Sequence, residues 1–252
     1  PWYAPPEYHE CDQPGIRSTY AWNYLMRRHR GLVGERRQGI VNAYDNTFGY
    51  ADAFLDCLLT ALDERGYGDD PLILHSDHGD ELGEHANYGH RPLMYDTVTR
   101  VPLVIGNIGQ SGVCEGPHSL LGLGNAVLDI AGIDERLGDS YSLLSDNRDT
   151  ITIQNILSDD LGRTAAAVGP EWKVLFHPKG EWGHGMNFEG GSWEAYHLPS
   201  DPRKQNDRCG DHPDKLEERL RTQLTEDVET DAGSGEVTGQ ARERIRELGY
   251  IR

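Results

Sequence analysis

One segment restricts this chain more than any other. The apolar run Pro71-Leu72-Ile73-Leu74 passes directly into His75-Ser76-Asp77-His78-Gly79-Asp80-Glu81-Leu82-Gly83-Glu84-His85. A short strand that ends in Asp-His-Gly delivers a carboxylate and an imidazole to a sheet edge. In an open α/β sheet that edge is where ligands bind. Carboxylate oxygens and imidazole nitrogens both ligate divalent cations, so Asp77 and His78 form a candidate metal-ligating pair. Tyr88-Gly89-His90, Tyr95-Asp96 and a second apolar, β-branched strand over Val101–Ile105 follow.

The flanking patterns fix the class. From Arg37 to Arg65 the apolar residues recur mostly at steps of three and four, which predicts a long amphipathic helix. Gly66 should stop it, and Asp69-Asp70-Pro71 should turn the chain into a buried strand over Leu72–His75. Ser119–Ala131 reads as a helix closed by Gly132. The order helix, strand, strand, helix points to an α/β sheet with mostly parallel strands. After about Gly138 the texture changes. Ile151–Ile156, Arg163–Val168, Trp172–His177 and Trp193–Leu198 read as short strands of a small antiparallel sheet. Pro213–Leu224 reads as a helix, Asp227–Gly239 as an acidic linker and Arg242–Leu248 as a short closing helix. Pro1–Glu35 reads as loop and short helix, and the opening has the character of a loop interior, as expected of the C-terminal part of a longer protein.

Charge narrows the partners. The chain carries 42 acidic and 24 basic residues, a net charge of -18, and only four lysines: Lys173, Lys179, Lys204 and Lys215. Such a surface repels nucleic acid and anionic lipid. It suits work in high salt, where repulsion between carboxylates is screened, or it reflects a coding bias toward Arg and Asp. A cytoplasm of a salt-adapted microbe is favoured, although any address segment would lie upstream. No apolar run approaches the ~18 residues of a membrane helix. The hydrophobic fraction of 37% is enough for a real core. The four cysteines form no CxxC pair, so a zinc ribbon or disulfide framework is not indicated.

Several side chains near the first strand end have ordinary structural readings beside the functional ones. His85 could pack through a hydrogen bond, and His90 could be a surface histidine. Arg100 is expected to pair with Asp96 or a neighbouring carboxylate, and Glu81 and Glu84 to be solvated or helix-terminus carboxylates.

The combined pattern resembles the sulfatase family of the alkaline-phosphatase-like superfamily. The resemblance rests on Tyr44-Asp45 and Asp52, Ser76-Asp77-His78-Gly79, Gly83-Glu84-His85, Gly89-His90, Tyr95-Asp96 and Arg100-Val101-Pro102-Leu103. In the tail it rests on Trp172-Lys173, on Glu194-Ala195-Tyr196-His197-Leu198 with Asp201-Pro202, and on Glu247-Leu248-Gly249-Tyr250. It covers essentially the whole chain. It implies an alkaline-phosphatase-like, mostly parallel α/β sheet flanked by helices, with a small C-terminal antiparallel sheet and helix. Residues 1–137 would be the C-terminal part of the catalytic core, and residues 138–252 a small α+β subdomain.

The resemblance also implies roles. Asp77 and His78 match the second pair of metal ligands, and the first pair would lie upstream. His90 matches the position that contacts the oxygens of the transferred group, as catalytic and substrate-binding residue, and His85 is a second substrate-binding candidate. One divalent ion is implied. Calcium is the family expectation, while His78, in place of the Asn of many relatives, opens manganese or zinc. Sulfatases carry a Cys or Ser in C/S-x-P-x-R that becomes formylglycine, and no such motif occurs in these 252 residues. The nucleophile is therefore expected upstream. Gly122 and Asn125 also depart from the family's usual residues in a packing helix. The expected activity is hydrolysis of a small-molecule or carbohydrate sulfate ester. The alternatives are a phosphodiester or phosphonate monoester hydrolase on the same scaffold, known to use the Asp-His variant, and a non-catalytic fragment or binding module.

Overall fold

In the computed structural model the described residues are 4–9, 34–85, 87–90, 93–138, 141–145, 148–158, 162–178, 180–182, 186–188 and 191–225. The expected acidic linker, the closing helix and most of the segment before Glu35 lie outside these residues. Pro6–Tyr8 forms a single 3-10 turn.

Helix α1 spans Glu35–Glu64. It ends as the glycine predicts. Gly66 takes φ +81°, its N–H reaches the Asp63 carbonyl, and the Tyr67 N–H reaches the Leu62 carbonyl. These paired bonds satisfy carbonyls that a helix end leaves open, and the left-handed residue costs glycine no Cβ clash. Only the first turns of α1 bury side chains fully, at Ile40, Ala43 and Asn46. Phe48, Phe54, Leu58 and Leu59 stay exposed, so the apolar stripe read from the sequence is real but largely uncovered among the described residues.

Strand β1 is Leu72–His75 and β4 is Leu103–Gly106. They pair antiparallel, with Ile73 opposite Ile105 and Leu74 opposite Val104. The parallel pairing expected from the element order is not made between these two. A parallel return needs a long crossover, usually a helix of several turns. Among the described residues, the only helix between them is α2, Asp96–Thr99, one turn long. Nor is β1 the buried strand anticipated, because Leu74 and Val104 are both exposed. Between β1 and α2, β2 (Glu81–Leu82) and β3 (Tyr88–Gly89) form a two-residue antiparallel ladder. After β4, a 3-10 turn at Leu120–Gly122 leads into α3, Leu123–Ile130. The Ser119 hydroxyl accepts from the Leu121 N–H at its start.

The remainder is a four-stranded antiparallel sheet in the order β10-β7-β6-β5. Its strands are β5 (Ile151–Ser158), β6 (Gly162–Val168), β7 (Trp172–His177) and β10 (Ser192–His197). A small hairpin, β8 (Gly180–Trp182) with β9 (Met186–Phe188), sits between the last two. Side chains alternate across a strand, and both faces of this sheet are used. Ala165, Ala167, Phe176 and Trp193 pack against α4, Asp214–Thr225, through Leu216, Leu220 and Leu224. On the other face, Ala166, Leu175 and Tyr196 bury Leu93, Met94 and Tyr95. The segment that closes the Asp-His-Gly loop is thus docked on the C-terminal sheet.

Candidate metal centre

The loop from Ser76 to His90 is shaped by close backbone approaches. The Gly79 N–H donates to the Val98 carbonyl at 2.8 Å, and a Cβ at Gly79 would collide with the carbonyl oxygen of Thr97. Gly83 has φ +99°, and a Cβ there would stand 2.6 Å from the Tyr88 hydroxyl. Arg37 on α1 donates through Nε to the Leu82 carbonyl at 2.9 Å. These contacts fold the chain back so that His90 meets His78.

The two rings lie with centroids 4.1 Å apart. The His90 Nδ1 is 3.0 Å from Asp80 Oδ1, and the His78 Nδ1 is 3.0 Å from the Gly79 carbonyl. Both partners are acceptors, so each ring carries a proton on Nδ1, and ligation of an ion would fall to Nε2. Ligand atoms of His78, Asp80 and His90 all fall within 4.8 Å of one another. Two imidazoles and one carboxylate at this spacing could hold a divalent metal ion. A carboxylate bonded to an imidazole Nδ1–H is also the usual way a ligating ring is oriented.

Asp77, the ligand expected beside His78, lies next to this group. Its Oδ1 accepts from the His78 backbone N–H at 2.9 Å, its Oδ2 is 3.9 Å from His78 Nε2, and its side chain is 80% exposed. It borders the His78, Asp80, His90 group without belonging to it. Burial pushes its carboxyl slightly up, but the His78 N–H and the neighbouring imidazoles hold it below the usual value. Asp80, by contrast, was not singled out in the sequence. It is the first residue after Asp-His-Gly, and its side chain is only 14% exposed.

His85 points inward rather than toward the cluster. Its Nδ1 is 2.8 Å from Glu81 Oε1, and its Nε2 is 3.2 Å from the Lys204 carbonyl. With both nitrogens engaged by the protein, the ring is placed to hold the loop. Glu81, expected in solvent, is fully buried. Arg100 does not pair with Asp96. That carboxylate is gripped by Lys173 Nζ at 2.7 Å and Lys204 Nζ at 2.6 Å, both from beyond residue 138. Burial would raise the Asp96 pKa, yet the two ammonium groups hold it below the ordinary carboxylate range.

A sulfatase family profile matches residues 1–133, more than half of the chain, and the chain belongs to that family. Comparison with curated protein sequences gives no match. Solved structures share its fold. A protein from Bacteroides thetaiotaomicron described as a sulfatase superposes with a TM-score of 0.63 at 18% identity, covering 97% of this chain and 53% of that one. A phosphonate monoester hydrolase from Silicibacter pomeroyi gives 0.61 at 19% identity, covering 75% of this chain and 41% of its own. The protein BT4656, solved with its substrate D-glucosamine-2-N,6-O-disulfate, gives 0.56 at 21% identity, covering 81% and 43%. At such identities the likeness establishes the fold, which is the alkaline-phosphatase-like α/β fold. This chain spans about half the length of these relatives.

Proposed function

We propose that this chain contributes a metal-binding face of a sulfate-ester hydrolase. The observation that carries the reading is the convergence of His78, Asp80 and His90 at the end of β1 in a chain of the sulfatase family. His78 and Asp80 would hold one divalent ion, with manganese or zinc suited to the imidazole and calcium the family expectation. Asp77 stands beside it as a further oxygen donor. When bound, such an ion would polarise an ester oxygen. His90 would hold the transferred group and donate a proton to the departing oxygen from its ring. The nucleophile, formylglycine by family expectation, is not among these 252 residues. A carbohydrate or other small sulfate ester is the proposed substrate, and the dense negative charge suits a saline cytoplasm.

A second reading is a phosphonate monoester hydrolase. It draws on the imidazole-bearing donor set and on the Silicibacter pomeroyi relative. The full-length protein would separate the two. Aryl sulfate and aryl phosphonate monoester hydrolysis would be measured side by side, with metal content determined before and after chelation. Chelator-sensitive sulfate ester cleavage in excess supports the first reading, and a reversed preference supports the second. Full activity after complete metal removal would refute both.

A further inference from the structure

We propose that His85 is a doubly protonated latch that pins the metal-site loop to the C-terminal sheet, and that raising the pH releases it. The ring's Nδ1 faces a carboxylate, Glu81 Oε1 at 2.8 Å, and its Nε2 faces a backbone carbonyl, that of Lys204 at 3.2 Å. A carbonyl cannot donate, and neither can a carboxylate. A ring that satisfies both carries a proton on each nitrogen and is an imidazolium.

The surroundings fit a cation. The ring stacks on Tyr95 with centroids 3.6 Å apart and planes 5° from parallel, a geometry in which an aromatic face attracts positive charge. Glu81 is fully buried, and its second oxygen has no hydrogen-bond partner among the described residues. The His85 proton is therefore a principal compensation for that carboxylate. Around the ring, Glu81 comes from β2 and Glu194 from β10. Glu194 accepts from the Tyr95 hydroxyl at 2.9 Å and lies 3.5 Å from His177 of β7. Lys204 brings a positive charge, but its ammonium is paired with Asp96 of α2. Burial alone would lower the pKa of the ring. The bond to Glu81, the Lys204 carbonyl and the field of Glu194 outweigh it and raise the value above 6.5.

Lys204 completes the latch. It holds the left-handed φ of +52°, which a residue with a side chain adopts only when its surroundings over-determine it. This places its carbonyl on His85 while its Nζ reaches Asp96. One residue of the C-terminal unit thus grips the loop after β1 at two points. The consequence concerns the metal site, and only that consequence rests on the functional reading above. Glu81 directly follows Asp80, the partner of His90.

Because the folded-state pKa is raised, the stabilisation is fully present below about pH 6.5. It is lost as pH climbs through the folded value. The test uses metal-free full-length protein, so that it stands apart from any failure of the metal assignment. Melting temperature is followed from pH 5.5 to 9.5 for the wild type and His85→Gln, and the wild-type His85 ring is titrated by NMR. We expect a wild-type decline of about 2–4 °C across the transition, absent in His85→Gln. We also expect the ring to be protonated at both nitrogens at pH 6.5. If His85→Gln does not fold, the ring titration alone decides. A singly protonated ring at pH 6, or an unchanged pH dependence in the variant, would overturn the proposal.

Discussion

Lys173 and Asp96 are 77 residues apart in sequence and 2.7 Å apart in space, with Nζ donating to Oδ1. Lys173 is the largest fully buried side chain of the described residues and also donates to Thr99 Oγ1 at 2.9 Å. Lys204 binds the other oxygen of the same carboxylate. Two cations therefore share one anion at the seam between the loop after β1 and the C-terminal sheet. Asp96→Asn leaves both buried ammonium groups uncompensated and should cost about 3–5 kcal/mol. Lys173→Met keeps the Asp96–Lys204 pair and should cost less. Urea unfolding with unchanged slope measures both, and equal costs would show that Lys204 does not share the load. Since the Asp96 pKa is depressed, its contribution is present above about pH 3.8 and fades as pH falls through the lower folded value.

Two glycines should respond to alanine in opposite directions. Gly79→Ala forces a Cβ onto the Thr97 carbonyl, so the loop must move at a cost of about 1–3 kcal/mol. Gly49 lies inside α1 with open space where its Cβ would be. Gly49→Ala should stabilise by about 0.5–1 kcal/mol, the helical penalty of glycine. Thermal melts of the two variants check the contrast. A neutral Gly79→Ala would mean that the Gly79–Val98 approach is not a constraint on the loop.

What could be read in advance follows from how local each signal is. Periodicity placed α1 within two residues of its observed ends, and β1 and β7 matched their predicted bounds. These are segments whose own residues carry the pattern. Strand direction was not legible, because it depends on what links β1 to β4 rather than on either strand. The ladder between β2 and β3 was also missed, since two-residue strands carry no period. At the candidate site, the Asp-His-Gly turn marked the loop on which His78, Asp80 and His90 converge. The role of Asp80 depends on the fold-back that brings His90 to it across ten residues. Glu81 looked solvated because an isolated glutamate almost always is. Its partner His85, four residues on, was visible, but nothing in the sequence showed Lys204 arriving from 119 residues away.

Salt should stabilise this protein. With a net charge of -18, self-repulsion opposes the compact state and screening relieves it. The melting temperature should climb as KCl is raised into the molar range. Because the Asp96 cluster is buried and weakly screened, Asp96→Asn should show the same salt slope as the wild type. A flat curve would leave coding bias as the reason for the acidic surface.

His90 can serve the site in two ways, and one variant separates them. Its side chain is 63% exposed and its Nδ1 is held by Asp80, so the free Nε2 could ligate an ion with His78 or reach the transferred group. If it is a ligand, His90→Ala in the full-length protein should lower metal affinity about 10–100-fold, as loss of support around a metal commonly does. If it contacts the ester oxygens, metal content should stay normal and turnover should fall on the order of a hundredfold. His90→Lys sharpens the choice. A lysine can donate to an ester oxygen but, when protonated, cannot ligate. It should restore part of kcat under the second role and nothing under the first. The distance from His90 to the His78 ring, 4.1 Å between centroids, allows a shared ion, while its exposure favours contact with substrate. We expect metal retention with lost turnover in His90→Ala. Normal turnover with normal metal content would remove His90 from the chemistry altogether and leave Asp80 and His78 as the site.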